Sequence, residues 1–178
     1  LVFAGLSLPL GLALSLGVAV LLNQRLVGRS VFRTLFFLPA MVPMVAVAMV
    51  WLWVFNGEYS LLNYALRQVG ITGPNWLADP LWTKPALVIM AVWQTGGTMV
   101  IFLAALQDVP GHLYESAQLD GAGALRRFWH VTVPLISPVI YFNLVIGIIG
   151  SLQTFAQPFI LFGGEGGPDR SALLYTVY

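Results

Sequence analysis

Four stretches of this chain contain no Asp, Glu, Lys or Arg: Leu1–Leu22, Leu35–Phe55, Pro85–Leu106 and Leu135–Leu152. Each has about the 20 residues that a helix needs to cross the hydrocarbon core of a bilayer. The runs are continuously apolar, whereas a membrane barrel needs alternating segments of roughly 10 residues. In hydrocarbon every backbone polar group must find its partner inside the protein, so continuous runs of this kind imply helices. The fold expected is all-α, a polytopic membrane helical bundle with four full spans. A fifth apolar run begins near Ser171 and stops at Tyr178, and the chain starts on an apolar run at Leu1. Residues 1–178 are therefore expected to be a single transmembrane domain, a fragment cut at both ends.

Composition agrees. Hydrophobic residues make up 58% of the chain, charged residues 8%, and the mean hydropathy is +0.85. A soluble domain carries about 25% charged residues. There is no cysteine, which excludes disulfides, thiolate nucleophiles and Cys-based metal sites. A net charge of +1 gives no general attraction to nucleic acid.

Alternation of the spans puts residues 23–34 and 107–133 on one side, and 56–84 and 153–170 on the other. The first pair holds Arg25, Arg29, Arg33, Arg126 and Arg127; the second holds Arg67, Lys84 and Arg170. Basic residues near span ends mark the cytoplasmic side, so 107–133 is expected inside the cell. In the outer segment 56–84, Leu61, Leu62, Ala65, Leu66 and Val69 recur at helical spacing ahead of Gly70, predicting a short surface helix with a glycine C-cap. Trp76 and Trp82 suit an interfacial belt. Pro39, Pro43, Gly96, Gly97, Pro134 and Pro138 interrupt the spans, either as ordinary helix shape or as hinges; Pro134 is expected in the first turn of its helix, where a missing N–H costs little.

The inventory for catalysis is missing. His112 and His130 form no zinc motif, no nucleophile elbow occurs, and the glycine-rich residues 163–167 lack the Gly-Lys-Ser/Thr of a phosphate-binding loop. Ion-coupled carriers place ionisable residues inside their spans, and these spans have none. They do carry Gln94, Thr95, Thr98, Asn143 and Ser151, with Gln153 and Gln157 just beyond. Such amides and hydroxyls either bond to neighbouring helices or face a neutral, hydroxyl-rich solute; Gln94, Asn143 and Gln153 are the candidates for a solute path.

The charged segment between the third and fourth spans reads as two short helices and a sharp turn. Pro110-Gly111 stops the third span, and His112–Leu119 forms one helix. Gly121 then offers a left-handed cap, and Asp120 is positioned to cap the next helix. Leu125, Phe128 and Trp129 give that helix an apolar face expected to pack under the bundle. Glu115, Leu119 and Ala122 are left near one another on the exposed turn.

Glu115-Ser116-Ala117, then Gly121 after three intervening residues, then Val131-Thr132-Val133-Pro134 after nine more resemble the cytoplasmic EAA loop of permease subunits in binding-protein-dependent ABC importers. Asp120-Gly121-Ala122 matches the family's usual Asp-Gly-Ala; Ser116 replaces Ala, and valines replace Ile and Leu. Residues 35–45, the Gly57/Asn63/Leu66 element and Gly166-Gly167-Pro168 are similar to the carbohydrate-uptake branch, of maltose or glycerol-phosphate type.

The resemblance implies that residues 107–133 form a coupling loop docked on an ATPase subunit through Glu115, Ser116, Ala117, Asp120, Gly121, Ala122 and Pro134. It also implies a second, different permease chain and a periplasmic or lipoprotein solute-binding protein. ATP and Mg would be bound by the partner ATPase, with no cofactor in this chain, and the setting would be the bacterial inner membrane. The competing class, a secondary carrier or channel for a small neutral solute, needs intramembrane carboxylates or an inverted repeat, and neither is visible. With no native cysteine, single cysteines at Arg29 and Asn75 should react from opposite sides of the membrane; labelling of both by an impermeant maleimide from outside would overturn the topology.

Overall fold

The computed structural model describes residues 2–24, 27–56, 60–162 and 167–170. The run from Ser171, Arg25, Gly57 and Gly166 lie outside the described residues. Those described are helical with no strand among them: α1 (Val2–Asn23), α2 (Arg29–Met41), α3 (Met44–Val54), α4 (Leu61–Gln68), α5 (Pro80–Trp93), α6 (Gly96–Asp108), α7 (Gly111–Leu119), α8 (Ala124–Arg127), α9 (Val133–Leu152) and α10 (Ala156–Phe162). A π-helical turn, Phe128–Thr132, joins α8 to α9.

By length and composition, α1 and the helical stretch Ala124–Phe162 are each able to cross a membrane. The count rises to four if α2 with α3, and α5 with α6, are each taken as one span. The second and third expected spans are thus helix pairs. Pro43 makes the first break: it is the N-cap of α3, with φ −55° and ψ 138°, and a proline also drives the residue before it out of the helical region. Pro39 breaks nothing, lying buried within α2. The second break falls at Gln94-Thr95, ahead of Gly96. A Cβ on Gly96 would land on the Phe36 carbonyl oxygen, so only glycine lets α6 approach the α2 backbone this closely.

Contacts divide the chain into two compact units, Leu1–Pro9 with Met41–Gln94 and Ile148–Tyr178, and Leu10–Ala40 with Thr95–Gly147. The division runs across all four spans rather than between them. The first unit includes the described parts of both segments expected outside the cell, the second those expected inside.

In the first unit, Phe3, Val47, Phe55, Trp76, Ala86, Leu87, Val88, Met90 and Leu161 form the core, and α10 packs on α3. The predicted surface helix is α4. The Ser60 side chain accepts from the Asn63 N–H at its start. At its end Gly70 (φ +79°) donates to the Arg67 carbonyl and Ile71 to the Leu66 carbonyl, a Schellman motif. Trp76 departs from the interfacial expectation: it is only 7% exposed, donates Nε1 to Asn63 Oδ1 at 2.8 Å and stands edge-on to Trp82. Asn63, itself buried, donates to the Pro74 carbonyl at 3.1 Å. Asn63 thus uses its amide oxygen on Trp76 and its amide N–H on Pro74, which draws Trp76 into the core.

In the second unit, Ala19, Leu22, Met99, Phe102, Leu103, Leu106 and Ile136 form the core. Buried Ser15 donates to the Gly11 carbonyl at 2.6 Å and reaches the Thr95 carbonyl at 3.3 Å.

A Cβ on Gly73 would fall on Asn63 Oδ1. Gly73→Ala should therefore displace the amide and leave the Trp76 indole unpaired, costing roughly 1–3 kcal/mol. A thermal unfolding midpoint below wild type in detergent is the expected result; an unchanged midpoint would show that the loop absorbs the methyl group.

Candidate functional site

The EAA-like segment lies wholly in the second unit. Helix α7 ends in a second Schellman motif. Gly121, at φ +75°, donates to the Gln118 carbonyl at 3.1 Å, and Ala122 donates to the Ala117 carbonyl at 2.9 Å. The fixed spacing of Ala117, Gly121 and Ala122 is thus a backbone requirement: acceptor, left-handed residue and second donor of one turn. Ser116 spends its hydroxyl on the His112 carbonyl one turn back, at 2.9 Å. No side chain of α7 is buried, and Glu115 and Leu119 are exposed, Leu119 at 89%. Glu115 makes no hydrogen bond or ion pair among the described residues.

Three expectations are corrected here. Asp120 does not cap the following helix; it is the C-cap of α7. Helix α8 starts three residues after the glycine with Gly123 as N-cap and no side-chain cap bond. Leu125 and Trp129 do not pack under the bundle but are 73% and 58% exposed. Pro134 does not open a separate helix, because α8, the π turn and α9 follow without an intervening break. The Val133 N–H reaches the Phe128 carbonyl, five residues back. Pro134 has no N–H to continue the α register, so the ladder slips by one residue at this point. At the next proline, Pro138, the missing donor is replaced by the Ser137 hydroxyl, 2.8 Å from the Pro134 carbonyl.

The turn is braced from behind. The Tyr114 hydroxyl and Thr132 Oγ1 are 2.9 Å apart, and Arg127 donates to Gln118 Oε1 at 3.3 Å. Tyr114, Arg127, Phe128 and Thr132, with Asn23 and Leu106, line a cavity of about 330 Å³. The motif does not include Tyr114, and it includes Thr132 only as the unspecified position between Val131 and Val133. The signals for them are a hydroxyl placed directly before Glu115 and another inside the apolar run Val131–Val133.

The amide candidates behave differently from one another. Gln94 is the C-cap of α5, and its Oε1 accepts from Gln157 Nε2 at 3.2 Å; Gln157 is buried. Asn143 is buried too, but donates to the Val139 carbonyl of its own helix at 2.9 Å. Gln153 is exposed just beyond α9 and is not brought to Gln94. Gln157 is the partner, and its signal was membership of the same amide series.

The class of protein is given by its relatives. The family model described as binding-protein-dependent transport system inner membrane component matches residues 8–178; the chain belongs to this family. It is 42% identical, over 99% of its own length, to the probable ABC transporter permease protein YesP of Bacillus subtilis (strain 168). It is 38% identical, over 96% of its length, to the trehalose/maltose transport system permease protein MalF of Thermococcus litoralis. It spans 57% and 58% of those two relatives. Among solved structures, a chain of a bacterial ABC transporter involved in importing the acidic polysaccharide alginate superposes with a TM-score of 0.74 at 28% identity, covering 92% of this chain and 55% of that one. The all-α permease fold and the family resemblance drawn from the EAA loop are both borne out.

The Gln94–Gln157 bond supplies a direct check on the amides. A double-mutant cycle with Leu at each position should give a coupling energy of about 0.5–1.5 kcal/mol. A value indistinguishable from zero would mean that the pair does not persist in the protein.

Proposed function

We propose that residues 1–178 form a single permease domain of an ATP-driven importer, lining part of the path of a sugar or related polyol delivered by an extracellular binding protein. Its partners are two ABC ATPase subunits, which hold ATP and Mg, and a second permease of different sequence. Its place is the bacterial inner membrane, crossed several times. The family membership and the similarity to a trehalose/maltose transport permease support this reading. Division of the chain across its spans, rather than between them, supports one domain.

The observation that carries the mechanism is the exposed α7 closed by Gly121. Residues 107–133 act as the coupling loop: Glu115 and Leu119 meet a cleft on the ATPase, Ala117, Gly121 and Ala122 hold the turn, and Pro134 enters the fourth span. Closure of the ATPases on ATP draws α7 inward, and the spans open the path to the outside. Uncharged amides, Gln94 foremost, with Asn143 and Gln153 as further candidates, hydrogen-bond the solute. The spans hold no Arg or Lys to pair with a phosphate, which favours a neutral solute.

At a partly desolvated interface, removal of one charge of a pair costs about 2–5 kcal/mol. Glu115→Lys should thus abolish co-purification of the ATPase and ATP-dependent uptake tested with radiolabelled maltose, trehalose and lactose. Gly121→Val should do the same by forcing a β-branched residue to positive φ. Both variants should reach the membrane in normal amounts, since neither position belongs to a span. ATPase retained at wild-type stoichiometry in both would refute the docking role.

A further inference from the structure

We infer that Tyr114 and Thr132 form a latch that carries motion of α7 into the fourth span; this rests on the coupling-loop reading above. Three observations converge on it. Tyr114 immediately precedes Glu115, so the residue proposed to meet the ATPase and the residue facing inward are neighbours on one short helix. The Tyr114 hydroxyl lies 2.9 Å from Thr132 Oγ1, and Thr132 is only 5% exposed. Thr132 is the last residue of the π turn, immediately before α9 begins at Val133.

The direct covalent route from α7 to α9 is a poor transmitter. It passes through the Gly121 turn, a further glycine at Gly123 and the four residues of α8, all exposed apart from Ala122 and Arg127. The Tyr114–Thr132 bond bypasses that route and spans 18 residues in one step. Thr132 is buried, so its hydroxyl meets water only through the cavity it lines, and breaking the bond costs the free energy of a part-buried hydrogen bond. The contact falls where the ladder has already slipped to an i→i−5 bond beside Pro134. The Arg127–Gln118 bond at 3.3 Å is a weaker, exposed brace between the same elements. Tyr114 and Thr132 are positioning residues in this scheme and touch no solute.

The test uses the assembled transporter, full-length chain with ATPase and second permease, and its binding protein loaded from a maltose, trehalose and lactose panel. Tyr114→Phe removes one oxygen and keeps the ring, and Thr132→Val keeps the shape of the side chain. Both variants should retain the ATPase on purification, while stimulation of ATP hydrolysis by the loaded binding protein falls roughly tenfold, as expected for loss of a buried hydrogen bond. Thr132→Ser, which restores the hydroxyl, should recover most of the stimulation. Wild-type stimulation in both Tyr114→Phe and Thr132→Val would overturn the latch. So would loss of the ATPase in either, which marks a docking contact, or a Thr132→Ser variant as damaged as Thr132→Val. Glu115→Lys run in parallel separates the two ideas. ATPase retained there refutes the docking reading and the latch with it; ATPase lost there, with normal stimulation in both latch variants, refutes the latch alone.

Discussion

An apolar medium offers no hydrogen bonds, so a backbone group left without an internal partner in a span costs far more than it would at a soluble surface. The form of this chain follows from how it meets that demand at its prolines. Pro43 is placed between α2 and α3, where the ladder has ended anyway. Pro138 sits inside α9, and the Ser137 hydroxyl supplies the donor that the ring lacks. Beside Pro134 the ladder slips by one residue into a π turn. Three answers to one chemical deficit yield a break, an uninterrupted helix and a wide turn.

The same economy governs the two surface helices. Helices α4 and α7 end alike, each with a glycine at positive φ and a pair of Schellman bonds. They differ in what they do with their side chains. In the α4 loop, buried Asn63 locks Pro74 and Trp76 to the helix, so the structure is held from within. Helix α7 buries no residue and ties itself to the π turn through Tyr114 and to α8 through Gln118. Its outer face, with Glu115 and Leu119, is left uncommitted.

Much of this was legible in the residues. Charge-free runs of membrane length announce spans, and the Glu115/Gly121/Pro134 spacing announces a turn whose left-handed residue favours glycine. What could not be read depended on distant partners. Trp76 looked interfacial because an indole has an oily body and a polar edge; its place was decided by Asn63, 13 residues away. Gln94 reads as a polar group in a span, but its pairing is with Gln157 of α10 rather than Gln153, which only the packed fold shows. Asp120 has the residue type of an N-cap, but the length of the Schellman turn, which starts α8 only at Ala124, puts it out of reach. Leu125 and Trp129 share one helical face, but periodicity does not say whether that face meets protein.

The polar groups within the four apolar runs are amides, hydroxyls and indoles, with no carboxylate, amine or guanidinium among them. An elementary charge carried across a bilayer exchanges about 2.3 kcal/mol with each 100 mV of membrane potential. These runs carry no such charge, so their rearrangement does almost no electrical work. A cell that loses its membrane potential leaves the energetics of these spans nearly untouched. The four runs themselves are electrically silent.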